Sequence, residues 1–220
     1  MIRNDSEQLV LVERMLVMQN EINRAINLDW KRAGNPWYRA IWVECGEMMD
    51  HVGWKWWKHQ EMDLSQAQLE VVDILHFGLS DTLQRHDTVR DAADELVTSL
   101  PSSQASPSLD TPAQILREIE RLSVQALSLQ RFDAPTFWAL AGSVGLNLPL
   151  IGRQYVAKNV LNRFRQDHGY KQGTYRKVWR GREDNEWLHE LAGTLDPASS
   201  DFVEALYALL AQEYEAERTR

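Results

Sequence analysis

The amino-acid sequence predicts an all-α fold, with a helical bundle core and a helical insertion. Apolar residues recur with a period near 3.6 along most of the chain, whereas no segment shows convincing strand alternation. Glycine and proline interrupt this periodicity in stretches such as "RAGNPW" and "GLNLPL", which indicate loops. The 220 residues are enough for one sizeable core, or for a core with an inserted subdomain.

The ends of the helices are indicated by capping residues and breakers. Ser6 is the candidate N-cap of the first helix, and Ser65 with Gln68 has the spacing of a capping box at the start of the third. The stretch "PASS" at 197–200 indicates the start of the last helix. The predicted helices cover residues 6–25, 37–52, 65–86, 90–100, 112–128, 134–145, 151–167, 185–192 and 199–218.

The composition changes in the middle of the chain. The stretch "LPSSQASPSLDTPA" at 100–113 is rich in serine and proline, which is typical of a mobile connection. We therefore expect a mobile helical insertion at 101–148. Residues 1–100 and 149–220 are expected to form the rigid core that carries the functional motifs.

Charge and cysteine content exclude several classes of protein. The net charge of −8 argues against a general binder of nucleic acids or anionic membranes. The single cysteine, Cys45, excludes an intramolecular disulfide framework and a multi-cysteine zinc site. We interpret it as a small apolar helix residue, with a reactive thiol as the alternative.

No apolar run approaches the roughly 18 residues of a membrane span, and "MIRNDSEQLV" lacks the apolar region of a signal peptide, so a cytoplasmic location is expected.

Two pairs of acidic residues are the strongest candidates for a metal site. Glu44 and Glu47 form an "ExxE" pair on the second helix, and Glu70 and Asp73 form an "ExxD" pair on the third. The i, i+3 spacing places each pair on one helix face, where like charges repel. Both pairs lie among apolar residues, and buried carboxylates need cations. One pair alone indicates only a solvated polar face, but two pairs on adjacent helices favour a hard divalent ion such as Mg²⁺.

A basic segment covers residues 158–182, from the seventh predicted helix into the stretch that follows it. Glycines punctuate it, and they allow backbone to approach a ligand closely. The segment is compatible with a phosphate clamp, with a solvated loop or docking patch for the acidic remainder, and less readily with a single-strand nucleic-acid surface. Its basic residues are Lys158, Arg163, Arg165, Lys171, Arg176, Lys177, Arg180 and Arg182, against one acid, Asp167.

Three further polar residues could contact a ligand. Gln19 and Asn23 stand four residues apart on the first helix, and amides can bind a base edge through paired donors and acceptors, although a surface position is the default. His76 follows Asp73 by three residues and therefore lies on or near the acidic face. A lone helical histidine is usually structural, but beside a metal site it could contact a sugar hydroxyl.

Three stretches, in this order and spacing, resemble the dimeric dUTPase family, within the all-α nucleoside triphosphate pyrophosphatases related to MazG proteins. They are "AIWVECGEMMDHVGWKWWK", "QLEVVDILHFGLS" and "YVAKNVLNRFRQDHGYKQGTYRKVWRGREDN", and "MQNEINRAINLDW" matches more weakly. The segment 101–148 carries no matching motif, and the family has a variable, mobile helical region there.

The resemblance implies Mg²⁺-dependent hydrolysis of dUTP to dUMP and pyrophosphate, with dUDP as a second candidate substrate, and hence removal of dUTP from the DNA precursor pool. It implies that Glu44, Glu47, Glu70 and Asp73 hold two or more Mg²⁺ ions, with Mn²⁺ able to substitute. Clustered metals neutralise phosphate charge and make a water nucleophilic. Glu44 is the candidate for also orienting that water.

The resemblance also assigns substrate-binding side chains. His76 would meet the 3′-hydroxyl, and Phe77 would fill the space that a ribose 2′-hydroxyl needs. Trp56 is expected to pack in the core, and Asp50 to be structural or to support the metal ligands. The candidates for the base and the pocket wall are Gln19, Asn23, Asn162, Trp54 and Trp57. The other candidates, mainly on the phosphate side, are Lys158, Arg165, Lys171, Tyr175, Lys177, Arg182 and Asn185.

The family resemblance further implies a homodimer that binds a small-molecule nucleotide, and neither a nucleic acid nor a membrane is an expected partner. Two alternatives remain at this point. One is a dCTP/dUTP or broader nucleoside triphosphate pyrophosphatase. The other is a helical nucleotide-binding regulatory module in which the acids hold only a structural cation.

Overall fold

The computed structural model describes residues 2–101, 109–196, 199 and 201–218. The described residues are mainly helical, and their strands form one antiparallel hairpin, so the predicted all-α fold is confirmed. The hairpin strands are β1 (Val178–Trp179) and β2 (Arg182–Glu183). The helices are α1 (Ile2–Ile26), α2 (Trp37–Val52), α3 (Leu64–Arg85), α4 (Val89–Thr98), α5 (Pro112–Leu129), α6 (Ala134–Ser143), α7 (Leu148–Asp167), α8 (Asp184–Gly193) and α9 (Phe202–Arg218).

Two predicted helix caps are wrong. Ser6 lies inside α1, because no glycine or proline stands before it to stop the helix. Helix α3 is capped by Asp63, whose carboxylate accepts the backbone N–H of Gln66 at 3.1 Å, and not by a box of Ser65 and Gln68. The carboxylate of Asp63 also accepts the hydroxyl of Ser65 at 2.8 Å, so that serine supports the cap. Of the stretch predicted to start the last helix, residues 197, 198 and 200 lie outside the described part.

The chain divides into two compact units, residues 1–152 and 153–220. In the first unit, α2 packs along α3 and α5, while α1 packs against α3 and α4. The buried residues of α2 are Ile41, Cys45, Met48 and Val52, which recur at helical spacing and form one apolar stripe. Burial raises the pKa of the Cys45 thiol to about 11, so it stays protonated at neutral pH, as a structural cysteine does.

Helix α3 is the central helix of the first unit and is buried along most of its length. A close contact fixes its position: a Cβ added at Gly78 would come within 2.6 Å of the Phe132 ring. Only glycine therefore allows α3 to approach the segment that leads into α6. In the predicted insertion, α5 packs on α2 and α6 on α5 and α3, while residues 102–108 lie outside the described part. The mobility of this insertion stays a prediction.

The second unit has an aromatic core. Trp179 of β1 is fully buried, and its ring centre lies 5.6 Å from that of Phe164 on α7 and 5.0 Å from that of Tyr214 on α9. Trp187 of α8 donates its indole N–H to the backbone oxygen of Trp179 at 3.1 Å. Two of the nine tryptophans are thus needed to pack the hairpin against its neighbouring helices.

Candidate active site

The two acidic pairs meet where α2 packs on α3. One carboxylate oxygen from each of Glu44, Glu47 and Glu70 lies within 4.8 Å of the others. Glu44 and Glu47 each precede a buried residue of α2, so they border its apolar stripe, while Glu70 is itself buried in α3. The predicted convergence of like charges from two helices is therefore present in the fold.

Asp73 adds a fourth negative charge to this group. Burial and, next, the charge of Asp73 raise the pKa of Glu44 to about 9, with further contributions from Glu70 and Glu47. A carboxyl with that pKa keeps its proton at pH 7. The metal-free protein thus relieves part of the repulsion by holding one proton at Glu44.

The donor set fits a hard divalent cation. The Oε2 atom of Glu70 is buried and has no hydrogen-bond partner among the described residues. A buried carboxylate oxygen without a donor is costly, and a cation would satisfy it. Carboxylate oxygens are also the ligands that Mg²⁺ prefers. Glu44, Glu47 and Glu70 could ligate such an ion directly, and the charge of Asp73 makes the region still more attractive to it.

His51 joins this site, and the sequence analysis missed it. Its Nε2 atom lies 3.5 Å from Oε1 of Glu70, and its hydrogen bond to that carboxylate raises the pKa of the imidazole. The residue stands four positions after Glu47, one helical turn away, and this spacing was the available signal. His51 positions one oxygen of Glu70, while the other oxygen is the one without a partner.

Gln19 and Asn23 are buried in the core of the first unit, so the default surface position is wrong. Gln19 Nε2 donates to Asn23 Oδ1 at 3.1 Å, and Asn23 Nδ2 donates to the Ser80 hydroxyl at 2.9 Å. These bonds link α1 to α3 and hold both amides in place. The sequence missed their burial because a polar pair at i, i+4 is also typical of an exposed face.

His76 and Phe77 both have fixed orientations. The Nδ1 atom of His76 lies 2.8 Å from the backbone oxygen of Val72, an acceptor, so Nδ1 carries the proton and Nε2 is the acceptor in the neutral ring. The same Nδ1 atom is 4.0 Å from the carboxylate of Asp73. The ring of Phe77 stacks on that of Trp37, with centres 6.3 Å apart.

The tryptophan-rich loop after α2 is exposed. Trp56 is 89% exposed, so the prediction that it packs in the core is wrong. Gly53, at φ 89°, ends the helix, and the chain that follows holds the indoles of Trp54, Trp56 and Trp57 edge to face against one another. The indole N–H of Trp54 donates to the carboxylate of Asp50 at 2.6 Å, so Asp50 secures the start of this loop.

In the second unit, a buried carboxylate organises the basic segment. Asp184 is 1% exposed, and both of its oxygens accept N–H groups of Arg165 at 2.8 Å. The hydroxyl of Tyr175 donates to the same carboxylate at 2.8 Å. Burial and this negative charge raise the pKa of the Tyr175 phenol well above its usual range. Sequence analysis missed Asp184, although an acid directly after a basic run was a usable signal.

The neighbouring Asn185 extends this network. Its Oδ1 atom accepts the ammonium group of Lys158 at 3.0 Å and an N–H of Arg165 at 3.4 Å, and Arg165 also donates to Asn162 at 3.4 Å. Five predicted substrate-binding residues therefore share one hydrogen-bond network: Lys158, Asn162, Arg165, Tyr175 and Asn185. The positions of their polar groups are mutually determined.

The remaining basic candidates differ from this network. Lys171 and Lys177 are exposed. The guanidinium of Arg182 lies 4.4 Å from the ring centre of Trp187 and donates to Glu190 at 2.7 Å. The basic segment thus contains both a part that is paired with other residues of the protein and a part that is solvated. From the sequence these were alternative interpretations of the whole segment.

The helical fold and the acidic cluster define an all-α protein with a candidate centre for divalent cations. A family model described as dUTPase matches residues 11–170, and a search of curated proteins found no match. The matched range is more than half of the 220 residues, and the chain belongs to this dUTPase family. It is an enzyme, a dUTP diphosphatase. None of the helices in the described ranges combines the length and apolar character needed to cross a membrane.

The raised pKa of Glu44 predicts how stability depends on pH. Between its ordinary pKa of 4.5 and the folded value of about 9, the folded metal-free protein holds one more proton than the unfolded chain. The free energy of unfolding should therefore fall as pH rises from 6 to about 8.5, by at most about 1.4 kcal/mol per unit from this group. Urea denaturation in EDTA should show that Glu44→Gln removes this contribution.

The exposed Glu61, which lies outside the cluster, is the matched control, and Glu61→Gln should keep the wild-type slope. Identical slopes for the wild type and Glu44→Gln would contradict the assignment.

The buried ion pair of the second unit predicts a large loss of stability. Asp184→Asn removes the charge that faces Arg165, whose side chain is only 12% exposed. Breaking such a pair should lower the free energy of unfolding by about 3–5 kcal/mol. Glu190→Gln, which breaks the more exposed pair with Arg182, should cost less than about 1 kcal/mol. Comparable losses in the two variants, measured by urea denaturation, would show that Asp184 does not organise the unit.

Proposed function

We propose that Mg²⁺ supports dUTP hydrolysis by this chain, with two or more ions held by Glu44, Glu47, Glu70 and Asp73, and that the products are dUMP and pyrophosphate. The observation that carries this proposal is the convergence of three carboxylates within 4.8 Å around a buried oxygen that has no partner among the described residues. A protein gains no stability from gathering like charges in this way, so the arrangement is best explained by a cation.

Glu44 is the proposed general base or water-orienting group. When bound, Mg²⁺ supplies charge that neutralises phosphate oxygens and increases the acidity of a water. Loss of the proton from Glu44 leaves a carboxylate that can accept a hydrogen bond from the attacking water and then its proton. His51 keeps one oxygen of Glu70 in position through this process, because Nε2 of the histidine lies 3.5 Å from that oxygen.

Most of the proposed contacts to the nucleoside are side chains of the first unit. Gln19 and Asn23 are the proposed contacts to the base, and His76 is the proposed contact to the 3′-hydroxyl. Phe77 is held against Trp37, so it cannot easily move aside for a ribose 2′-hydroxyl, which supports a preference for deoxynucleotides. Trp54 and Trp57 are the proposed wall of the pocket, and both side chains are exposed.

The second unit supplies the other proposed substrate contacts. Lys171 and Lys177 are proposed phosphate ligands; both are exposed, so phosphate binding by their ammonium groups would break no buried pair. Arg165, Tyr175 and Arg182 are also proposed phosphate ligands. Arg165 and Tyr175 are held in place by Asp184. Lys158, Asn162 and Asn185 complete the proposed set, with Asn162 on the base side.

We propose that the protein assembles as a homodimer. Its fold is proposed to be related to that of MazG proteins. Support for the homodimer is the exposure of several large apolar residues in the first unit, among them Leu28, Trp42 and Val43. Hydrolysis of dUDP, substitution by Mn²⁺ and a cytoplasmic location stay predictions. Membership of the dUTPase family rules out the purely regulatory module, whereas a broader substrate range including dCTP is the alternative that a nucleotide panel decides.

A panel of dUTP, dCTP, dTTP, UTP and dUDP with Mg²⁺, scored for released pyrophosphate or phosphate, tests this function. We expect dUTP to be the preferred substrate and EDTA to abolish its turnover. Glu47→Gln should lower kcat/KM for dUTP by about 100-fold or more, because it removes a carboxylate ligand. Helix content, measured by circular dichroism, should be unchanged.

Glu61→Gln changes an exposed carboxylate outside the cluster and should keep wild-type activity. Near-native activity of Glu47→Gln, or full activity in EDTA, would contradict the metal site. Equal turnover of dCTP and dUTP would instead contradict strict uracil specificity and favour a dCTP/dUTP or broader nucleoside triphosphate pyrophosphatase.

A further inference from the structure

Four residues of the first unit form a hydrogen-bond chain that starts at a backbone carbonyl. The hydroxyl of Ser80 donates to the backbone oxygen of His76 at 2.9 Å and accepts Nδ2 of Asn23 at 2.9 Å. Asn23 Oδ1 in turn accepts Nε2 of Gln19 at 3.1 Å. Ser80 is 0% exposed, and Gln19 and Asn23 are 4% and 5% exposed, so water does not compete for these bonds.

The backbone carbonyl of His76 fixes the donor-to-acceptor direction of every bond in this hydrogen-bond chain. A backbone oxygen can only accept, so the one hydrogen of the Ser80 hydroxyl is committed to His76. Towards Asn23 the hydroxyl can then act only as an acceptor, and the group facing it must be the amide nitrogen. This fixes the amide oxygen of Asn23 on the other side, where it requires the amide nitrogen of Gln19. One serine therefore sets the orientation of both amides.

The orientation of an amide decides which pyrimidine it can bind. Uracil offers an N–H donor at position 3 beside an acceptor at position 4, whereas cytosine offers an acceptor at position 3 beside a donor at position 4. An amide turned by 180° exchanges its donor and its acceptor and so exchanges its preference. A site with fixed hydrogen-bonding groups rejects the mismatched base because buried groups are then left unpaired.

We infer that Ser80 is a specificity-determining positioning residue, which selects uracil over cytosine by fixing the amide orientation of Asn23 and, through it, of Gln19. The inference rests on the proposed function, in which those two amides bind the base. Ser80 acts through them and has no role in the chemical step. Its loss should therefore change the relative KM values of the two nucleotides more than the kcat for dUTP.

The test compares kcat/KM for dUTP and dCTP, with Mg²⁺, in the full-length wild type and in Ser80→Ala. The wild type should strongly prefer dUTP, and the ratio should fall by about tenfold or more in the variant, mainly through KM. The matched control is Thr82→Ala. Thr82 is also 0% exposed on α3, and its hydroxyl makes the same kind of bond, to the backbone oxygen of Gly78 at 2.9 Å. It is not bonded to the α1 amides, so its loss should leave the ratio within about twofold.

Two further variants distinguish the effect of the Ser80 hydroxyl on amide orientation from its effect on core packing. Ser80→Thr keeps the hydroxyl and should keep the wild-type preference. Ser80→Cys fills the same space with a weaker acceptor, so its ratio should also fall, and it replaces Ser80→Ala if the alanine variant does not fold.

A folded Ser80 variant without the hydroxyl that retains the wild-type ratio would overturn the inference, and so would an equal fall in Thr82→Ala. A wild type that hydrolyses both nucleotides equally would also overturn it while leaving the pyrophosphohydrolase activity in place. A wild type inert towards dUTP would overturn the proposed function, and the inference with it.

Discussion

The repulsion among four carboxylates is the constraint on which the candidate active site depends. Glu44, Glu47, Glu70 and Asp73 lie on two helices whose packing also builds the core of the first unit, so the acids cannot separate without disrupting that core. A proton on Glu44 relieves the strain in the metal-free protein, and a divalent cation can take its place. In the proposed function, stability and catalysis are coupled, because the charges that destabilise the metal-free fold are those that would bind the metal.

Both units use buried hydrogen bonds to fix the direction of functional groups. In the first unit, a serine anchored on a backbone carbonyl orients two amides. In the second, the carboxylate of Asp184 holds a guanidinium and a phenol by charge-assisted bonds. Neither anchor was among the candidates for substrate contact. In the proposed function, each anchor reduces the reorganisation needed when substrate binds, which is the general advantage of a preorganised site.

Periodicity was sufficient to predict most helices, including the second at 37–52, because burial of one face leaves a clear pattern. The spacing of the acids also predicted their convergence, since it depends only on helix geometry and on adjacency in the chain. Burial of polar groups was not predictable in the same way. Gln19 and Asn23 look like surface residues, and Asn23 finds a buried hydrogen-bond partner in Ser80, which is distant in sequence. Trp56 looks like a core residue but stands in an exposed loop.

Proton release on metal binding is the most direct test of whether a cation replaces the proton on Glu44. Calorimetric titration of Mg²⁺ into the metal-free protein at pH 7, in buffers of different ionisation enthalpy, counts the protons that leave the protein. We expect Mg²⁺ to bind with release of close to one proton, from Glu44, and no such release in Glu44→Gln. Binding of Mg²⁺ without proton release, or the same release in Glu44→Gln, would contradict the claim that a cation replaces the proton among these carboxylates.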